Sequence, residues 1–350
     1  MTRPERMMLM GLQALGAEMT VVTQSRSKNT IELEQNGIAV FYMDLKNKVC
    51  PRSIARLRKL IKENSYDILH FTFGKAATNA LIASRGIKLK IIAYYGSMSL
   101  HWYDPSAYLG FLNHRIDHYI CVSQAVACHV SKQLLPYRRD KISVIPRGFD
   151  VEWLRSLKEV TREELDIPED GFVVCCVAIV RRVKGIKYLM KAVRMLPPGL
   201  PLYFLLVGDG TESRKIRRSL NSTSYRENFM IIGWVPYAPS YIAACDLYIQ
   251  PSIHEGLGRA LAEAMSLGKI VAATDGGGTR ELITDNCDGI ILPSRSPDAI
   301  AGTILRCLNS EELYRHFPEK AKRKVEDNFP IENVINSTFK VYRNLTGITS

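Results

Sequence analysis

Residues 251–283 read PSIHEGLGRALAEAMSLGKIVAATDGGGTRELI. An apolar run, Leu247, Tyr248, Ile249, ends at Gln250 just before them. Glu255, Gly256, Leu257 and Gly258 then form a loop, and a helical pattern follows to about Leu267. A second apolar run, 270–273, comes next. Strand, loop, helix and strand in this order make a βαβ unit, whose two strands lie parallel in one sheet.

The same alternation runs along the whole chain. Apolar runs at 19–23, 38–43, 67–72, 90–95, 118–122 and 142–145 predict six strands in the first half. Six more are predicted at 172–180, 202–207, 229–232, 247–250, 270–273 and 289–292. Between the halves lies 158–171, charged and poor in apolar residues, which reads as a linker. The expected organisation is α/β: a Rossmann-like domain over 1–157 and another over 172–330. A helix at 331–345, set off by Pro330, would pack back on the first. Ligands of doubly wound sheets bind at the carboxyl ends of strands, so the expected site is a cleft between the domains.

The opening departs from this pattern. MTRPERMMLMGLQALGA has a basic tip and an apolar stretch, as a secretory leader does. Its Met7, Met8, Met10, Leu12 and Leu15 nevertheless recur at helical spacing and run into a strand, so it reads as fold. A doubly wound domain normally opens on its central strand. Here that strand is missing, and two neighbouring strands are expected to face each other across a gap.

With 350 residues, 46% of them hydrophobic and 23% charged, the chain is long and apolar enough for two cores. Its longest apolar runs fall far short of the roughly 18 residues that cross a bilayer. Eight cysteines without a CxxC, several inside apolar strands, suit a reducing cytosol and offer no metal site. Charge is uneven: net +10 over residues 1–150 and +2 over the remainder. Lys46, Lys48, Arg52, Arg56, Arg58, Lys59 and Lys62 occur without an acid among them, while Ile54, Leu57, Leu60 and Ile61 keep helical spacing. This basic amphipathic helix reads either as a surface for anionic lipid or as a sheet-covering helix with a solvated face. Nucleic acid is not expected as a partner, because no recognition-helix pattern or zinc spacing accompanies the charge.

In the 251–283 stretch, glycines at 256 and 258 let backbone N–H groups approach an anion, and the helix N-terminus adds roughly half a positive charge there. Glu255 and Glu263 are eight residues apart, about 12 Å if both lie on a helix. That spacing matches two hydroxylated ends of a nucleotide sugar, and a carboxylate is an acceptor for vicinal hydroxyls. Arg259 with Glu263 also reads as an i, i+4 pair. Gly208-Asp209-Gly210 opens like a dinucleotide fingerprint, but Ser213 stands at the third glycine and a nicotinamide cofactor is not indicated.

These motifs in order resemble the retaining glycosyltransferases of family four, which have the two-domain GT-B architecture. The resemblance rests on EGLGRALAE (E-x7-E), ICVSQAV at 120–126, VIPRGFD at 144–150, KGIKYLMKAV at 184–193, VGDG at 207–210, CDLYIQPSIHEG at 245–256, and GGTRELI followed by DGIILP. It implies that Glu255 holds donor-sugar hydroxyls, Glu263 the ribose, and the Gly256, Leu257 and Gly258 amides the diphosphate or sugar. Lys184 would lie on the pyrophosphate, with Arg181 as second cation because Ile179 stands where many relatives have arginine. The turn at Gly208 would adjoin the nucleotide. Gly233, Trp234 and Val235 would line the base, unless Trp234 is plain core.

On the acceptor side the resemblance points to Tyr95, Gly96, Ser123 and Arg147. Tyr95 stands where relatives often carry a histidine, and Arg147 where they commonly have Asn. His101, further along that loop, is the remaining histidine candidate for the reacting centre. Neither a cofactor nor a metal is expected, since no Asp-x-Asp and no ligand-spaced His or Cys cluster occurs. The implied activity is transfer of a sugar, with retention, from a nucleotide-diphosphate donor to a saccharide or lipid-linked acceptor in surface polysaccharide or glycolipid synthesis. The protein would be cytoplasmic, peripheral on the inner membrane face through its basic half. The alternatives are an inactive sugar-nucleotide-binding relative and a GT-B sugar-nucleotide epimerase.

Overall fold

Each of the twelve apolar runs forms a strand, and every pairing between them is parallel. The computed structural model describes residues 2–45, 47–72 and 74–347, the side chains of 311–315 aside; Lys46 of the basic run lies outside the described residues. The chain divides into two units, Met1–Gly148 with Phe329–Ser350, and Phe149–Asn328. Both are α/β, with strands alternating with helices as in Rossmann-like domains.

In the first unit the strands are β1 (Thr20–Thr23), β2 (Ala39–Tyr42), β3 (Ile68–Phe71), β4 (Lys90–Tyr95), β5 (His118–Cys121) and β6 (Ile142–Val144). They form not one sheet but two: β1 with β2, and β3-β4-β5-β6. Among the described residues no strand pairs β1 with β3, which is where the expected gap falls. A side-chain link stands there, the Tyr66 hydroxyl bonding Thr20 Oγ1 at 2.9 Å. The opening helix, Arg3–Ala14, ties the sheets together through apolar contacts. Met7 and Met8 join the cluster of Ile92, Ile120 and Ile145, while Leu9 and Met10 join that of Val21, Leu33 and Ile38. Helix Ile331–Thr346 contributes Ile331, Val334 and Val341 to the first cluster and packs on the opening helix.

The second unit carries β7 (Phe172–Val177), β8 (Leu202–Val207), β9 (Phe229–Gly233), β10 (Leu247–Gln250), β11 (Ile270–Thr274) and β12 (Ile290–Leu292). Their order, β12-β11-β10-β7-β8-β9, reverses direction between β7 and β10. Helices Ile186–Val193 and Pro297–Leu308 pack together, and Leu189, Met190, Ile300 and Ile304 bury their apolar stripes against the sheet's Phe172, Phe204 and Ile249.

Three expectations are corrected here. Residues 158–171 are held to the second unit rather than spanning freely: Arg162 grips both oxygens of Asp246 at 2.7 Å, and the Val160 amide donates to the Ser240 carbonyl. Its two basic residues pair, Lys158 with Glu164 and Arg162 with Asp246, so low apolarity does not make it a tether. The unit boundary correspondingly falls at Gly148 instead of 157, since helix Val151–Ser156 packs on the second unit. The sequence reads as helical and charge-rich over Glu319–Asn328 before Pro330, and the helix is longer, running over Glu311–Asn328 with Pro318 inside it.

Candidate functional site

The point where strand order reverses leaves a crevice outside the carboxyl ends of β7 and β10, because their outgoing connections diverge to opposite sides. Lys184 follows β7 and Glu255 follows β10. They meet there: Lys184 Nζ donates to Glu255 Oε2 at 2.6 Å, and the Ser252 hydroxyl donates to the same oxygen at 3.1 Å. Both side chains are partly buried.

Glu255 is held by backbone. Its N–H donates to the Gly276 carbonyl at 2.6 Å and its carbonyl accepts from the Gly278 N–H at 3.1 Å. The run Gly276-Gly277-Gly278 permits this approach, since a Cβ at Gly278 would stand 1.9 Å from the Gly256 carbonyl oxygen. Gly185 has φ +67° and packs on the other side of the same loop; a Cβ there would lie 1.7 Å from the Pro251 carbonyl oxygen.

Gly256, Leu257 and Gly258 are buried and lead into helix Arg259–Ser266, whose N-terminus has no side-chain cap. Uncapped first-turn N–H groups and the helix dipole suit an anion. Gln250 Nε2 is buried without a hydrogen-bond partner among the described residues and lies against Gly258. Glu255 itself is not helical: the helix begins four residues later, so the 12 Å helical spacing does not describe the two carboxylates. Glu263 is buried inside the helix, with Arg259 Nε 3.3 Å from its Oε1. Beneath the site, burial raises the Tyr248 phenol, and nearby Cys176 is pushed up to about 12, so neither is an ionised nucleophile at neutral pH.

Arg181 is exposed on the loop that carries Lys184. Gly208 follows β8, with its N–H donating to the Gly233 carbonyl at 2.6 Å, and Glu212 lies against Gly233. Trp234, 72% exposed, is not core. No group of three or more His, Cys, Asp or Glu among the described residues is placed to hold a metal.

In the first unit, Tyr95, Gly96 and Arg147 line one cavity at the carboxyl ends of the strands. Ser123 does not line it. Its buried hydroxyl caps helix Gln124–Gln133 by accepting from the Val126 N–H. His101 also lies off the cavity wall, stacked on Tyr103 at 5.0 Å and edge-on to His129 at 5.7 Å. The basic helix, Pro51–Asn64, leaves Arg52, Arg56 and Lys62 exposed, whereas Arg58 is spent on the carbonyls of Ala83 and Arg85. Ser252, Gln250, Tyr94 and Lys48 are additions that single-residue reading missed. The triple glycine was the one visible signal for the packing around Glu255.

Glycosyl transferases group 1 matches residues 158–324, and Glycosyltransferase Family 4 matches residues 6–153. Both halves of the chain thus match glycosyltransferase families, and the chain is a glycosyltransferase. Over 237 residues it is 25% identical to the uncharacterized glycosyltransferase MJ1069 of Methanocaldococcus jannaschii, covering 66% of this chain and 59% of that protein. It is 21% identical to the Escherichia coli UDP-Gal:alpha-D-GlcNAc-diphosphoundecaprenol alpha-1,3-galactosyltransferase, over 83% of this chain and 79% of the other. Among solved structures, Anabaena Alr3699/HepE in complex with UDP-glucose superposes with a TM-score of 0.81 at 21% identity, over 98% of this chain and 96% of that one. At that identity the superposition speaks for the GT-B fold.

Proposed function

We propose that the chain transfers a sugar from a nucleotide-diphosphate donor to a saccharide or lipid-linked acceptor, with retention, in surface polysaccharide or glycolipid synthesis. The observation that carries this reading is the Lys184–Glu255 pair at the reversal point of the second sheet, beside an uncapped helix N-terminus. A diphosphate there takes up the ammonium and the first-turn amides, and Glu255, released from Lys184, accepts from sugar hydroxyls. Glu263 binds the ribose, and Arg181 adds a second, exposed cation. The bond between the anomeric carbon and the diphosphate oxygen breaks, the acceptor oxygen bonds that carbon, and its proton leaves with the nucleotide diphosphate. Lys184 and the amides stabilise charge developing on the departing group, an effect of about 10²–10³ in rate for one well-aimed donor.

The acceptor of the E. coli relative, a diphosphoundecaprenol-linked sugar, supports a lipid-linked acceptor. No helix among the described residues is long and apolar enough to cross a membrane, in keeping with our placing the protein in the cytoplasm with its basic unit on the inner membrane face. Incubation with a panel of nucleotide sugars and lipid-linked acceptors is expected to release nucleotide diphosphate, and Lys184→Ala and Glu255→Ala each to slow release at least 100-fold. Unchanged release in both variants would refute the assignment. Binding without turnover would select the inactive relative, and an isomerised sugar nucleotide formed without acceptor would select the epimerase.

A further inference from the structure

The cavity in the first unit, about 410 Å³, lies wholly within that unit. Its volume suits a small ligand. Two cations from opposite ends of the unit's sequence line it, Lys48 after β2 and Arg147 after β6. Among the described residues neither has a carboxylate within ion-pair distance. Lys48 Nζ is held by the Ser106 hydroxyl at 2.7 Å, and the Arg147 guanidinium lies 6.0 Å from the centre of the Tyr94 ring. Asp104, the acid in the lining, is engaged by the Ser106 N–H at 2.8 Å. Around the cations stand hydroxyls for a sugar: Tyr95 with Ser99 at 3.3 Å, and Ser99 with Ser97 at 2.9 Å. Phe111 supports the Tyr95 ring edge-on at 4.6 Å.

The loop 100–110 that walls the cavity on one side is apolar on its outer side. Trp102, Tyr103 and Leu109 are 62%, 65% and 55% exposed. They are held in place, the Trp102 N–H by Gln133 Oε1 at 3.0 Å and the Trp102 carbonyl by the Tyr108 hydroxyl at 2.9 Å. Exposed Trp and Tyr beside a net positive wall is the composition that settles at the headgroup level of a bilayer.

Resting on the transferase reading above, we infer that this cavity takes the head of the acceptor, a sugar carrying a phosphate ester, with Lys48 and Arg147 on the phosphate and the Trp102–Leu109 side of the loop on the lipid to which it is anchored. Two cations against the single carboxylate of Asp104 leave the described cavity lining net positive, which favours an anion over a neutral glycan, and the apolar outer face favours a lipid-borne acceptor over a free sugar phosphate.

The test is calorimetric titration of the full chain with glucose 1-phosphate, methyl α-glucoside and the decyl phosphodiester of glucose. Glucose 1-phosphate is expected to bind at least tenfold more tightly than methyl α-glucoside. Lys48→Ala and Arg147→Ala should each remove most of that tenfold advantage, with Lys48→Arg restoring part of it as a check on folding. Lys184→Ala should leave it intact, which separates this site from the donor site whatever becomes of turnover. The decyl diester should gain a further tenfold or more, lost in a Trp102→Ser, Leu109→Ser double variant. Equal binding of the charged and neutral sugars overturns the proposal, as does loss of phosphate binding in Lys184→Ala alone. A decyl gain that is absent, or that survives the double variant, overturns its lipid half.

Discussion

Gly185 sits where one methyl group would disturb the donor-side crevice. Its left-handed backbone and the 1.7 Å approach of a would-be Cβ to the Pro251 carbonyl leave no room for a side chain. Gly185→Ala is expected to cost about 3 kcal/mol, a drop of roughly 6–12 °C in Tm by thermal melting, and to weaken nucleotide-sugar binding beyond that loss. Cysteine reactivity is another readout at this scale. Hydrogen bonds from Ser53 lower the Cys50 thiol, whereas burial pushes Cys121 and Cys176 up to about 12. Timed alkylation at pH 7 followed by mass spectrometry should modify Cys50 and exposed Cys128 well before Cys121, Cys175, Cys176, Cys245 and Cys307.

Glu255 and Lys184 were legible as residues of a motif, but not their contact, because it joins loops 71 positions apart. Ser123 has a structural role that the motif did not show: a serine before a helix is as good a cap as a ligand group, and its hydroxyl accepts from the Val126 N–H. Lys48 was counted in a basic run, and nothing in that run marks it as facing a cavity.

Among elements, strands were legible almost to the residue, because an apolar run bounded by turn residues leaves few alternatives in a parallel sheet. β4, β8 and β10 coincide with their expected limits. Segment 158–171 was not legible, since its stabilising partner, Asp246, is remote in sequence. The division of the first sheet gives an expectation of its own. Among the described residues β1 and β3 each carry one edge without a strand partner, whereas β4 and β5 are paired on both sides. Native-state hydrogen exchange should show amides of β1 and β3 exchanging at least tenfold faster than those of β4 and β5. Equal protection across these four strands would mean that the division does not persist in solution.

For the molecule as a whole, pH dependence has an identifiable contributor. His70 lies inside the first unit with Nδ1 2.7 Å from the Tyr342 hydroxyl and Nε2 buried without a partner among the described residues. Burial depresses its pKa to about 4. A base depressed by folding is protonated first in the unfolded chain, so its penalty is absent above pH 6.5 and grows as pH falls toward 4. Denaturant melts of wild type and His70→Phe should differ in pH response, the wild type losing about 2 kcal/mol more between pH 7 and pH 5. Equal losses would show that the imidazole is solvated. The two-unit architecture was legible from the repeated strand rhythm, whereas the sugar, base and acceptor depend on loop side chains that carry no periodic signal.

The account's central claim is that the second unit grips an activated sugar through Glu255 and Lys184. Its most direct test is calorimetric titration of a nucleotide-diphosphate sugar panel into the wild type, Glu255→Ala and Lys184→Ala. The account predicts saturable one-to-one binding of at least one donor, weakened tenfold or more in each variant while both variants keep a cooperative thermal melt. Binding of equal strength in all three proteins would contradict it.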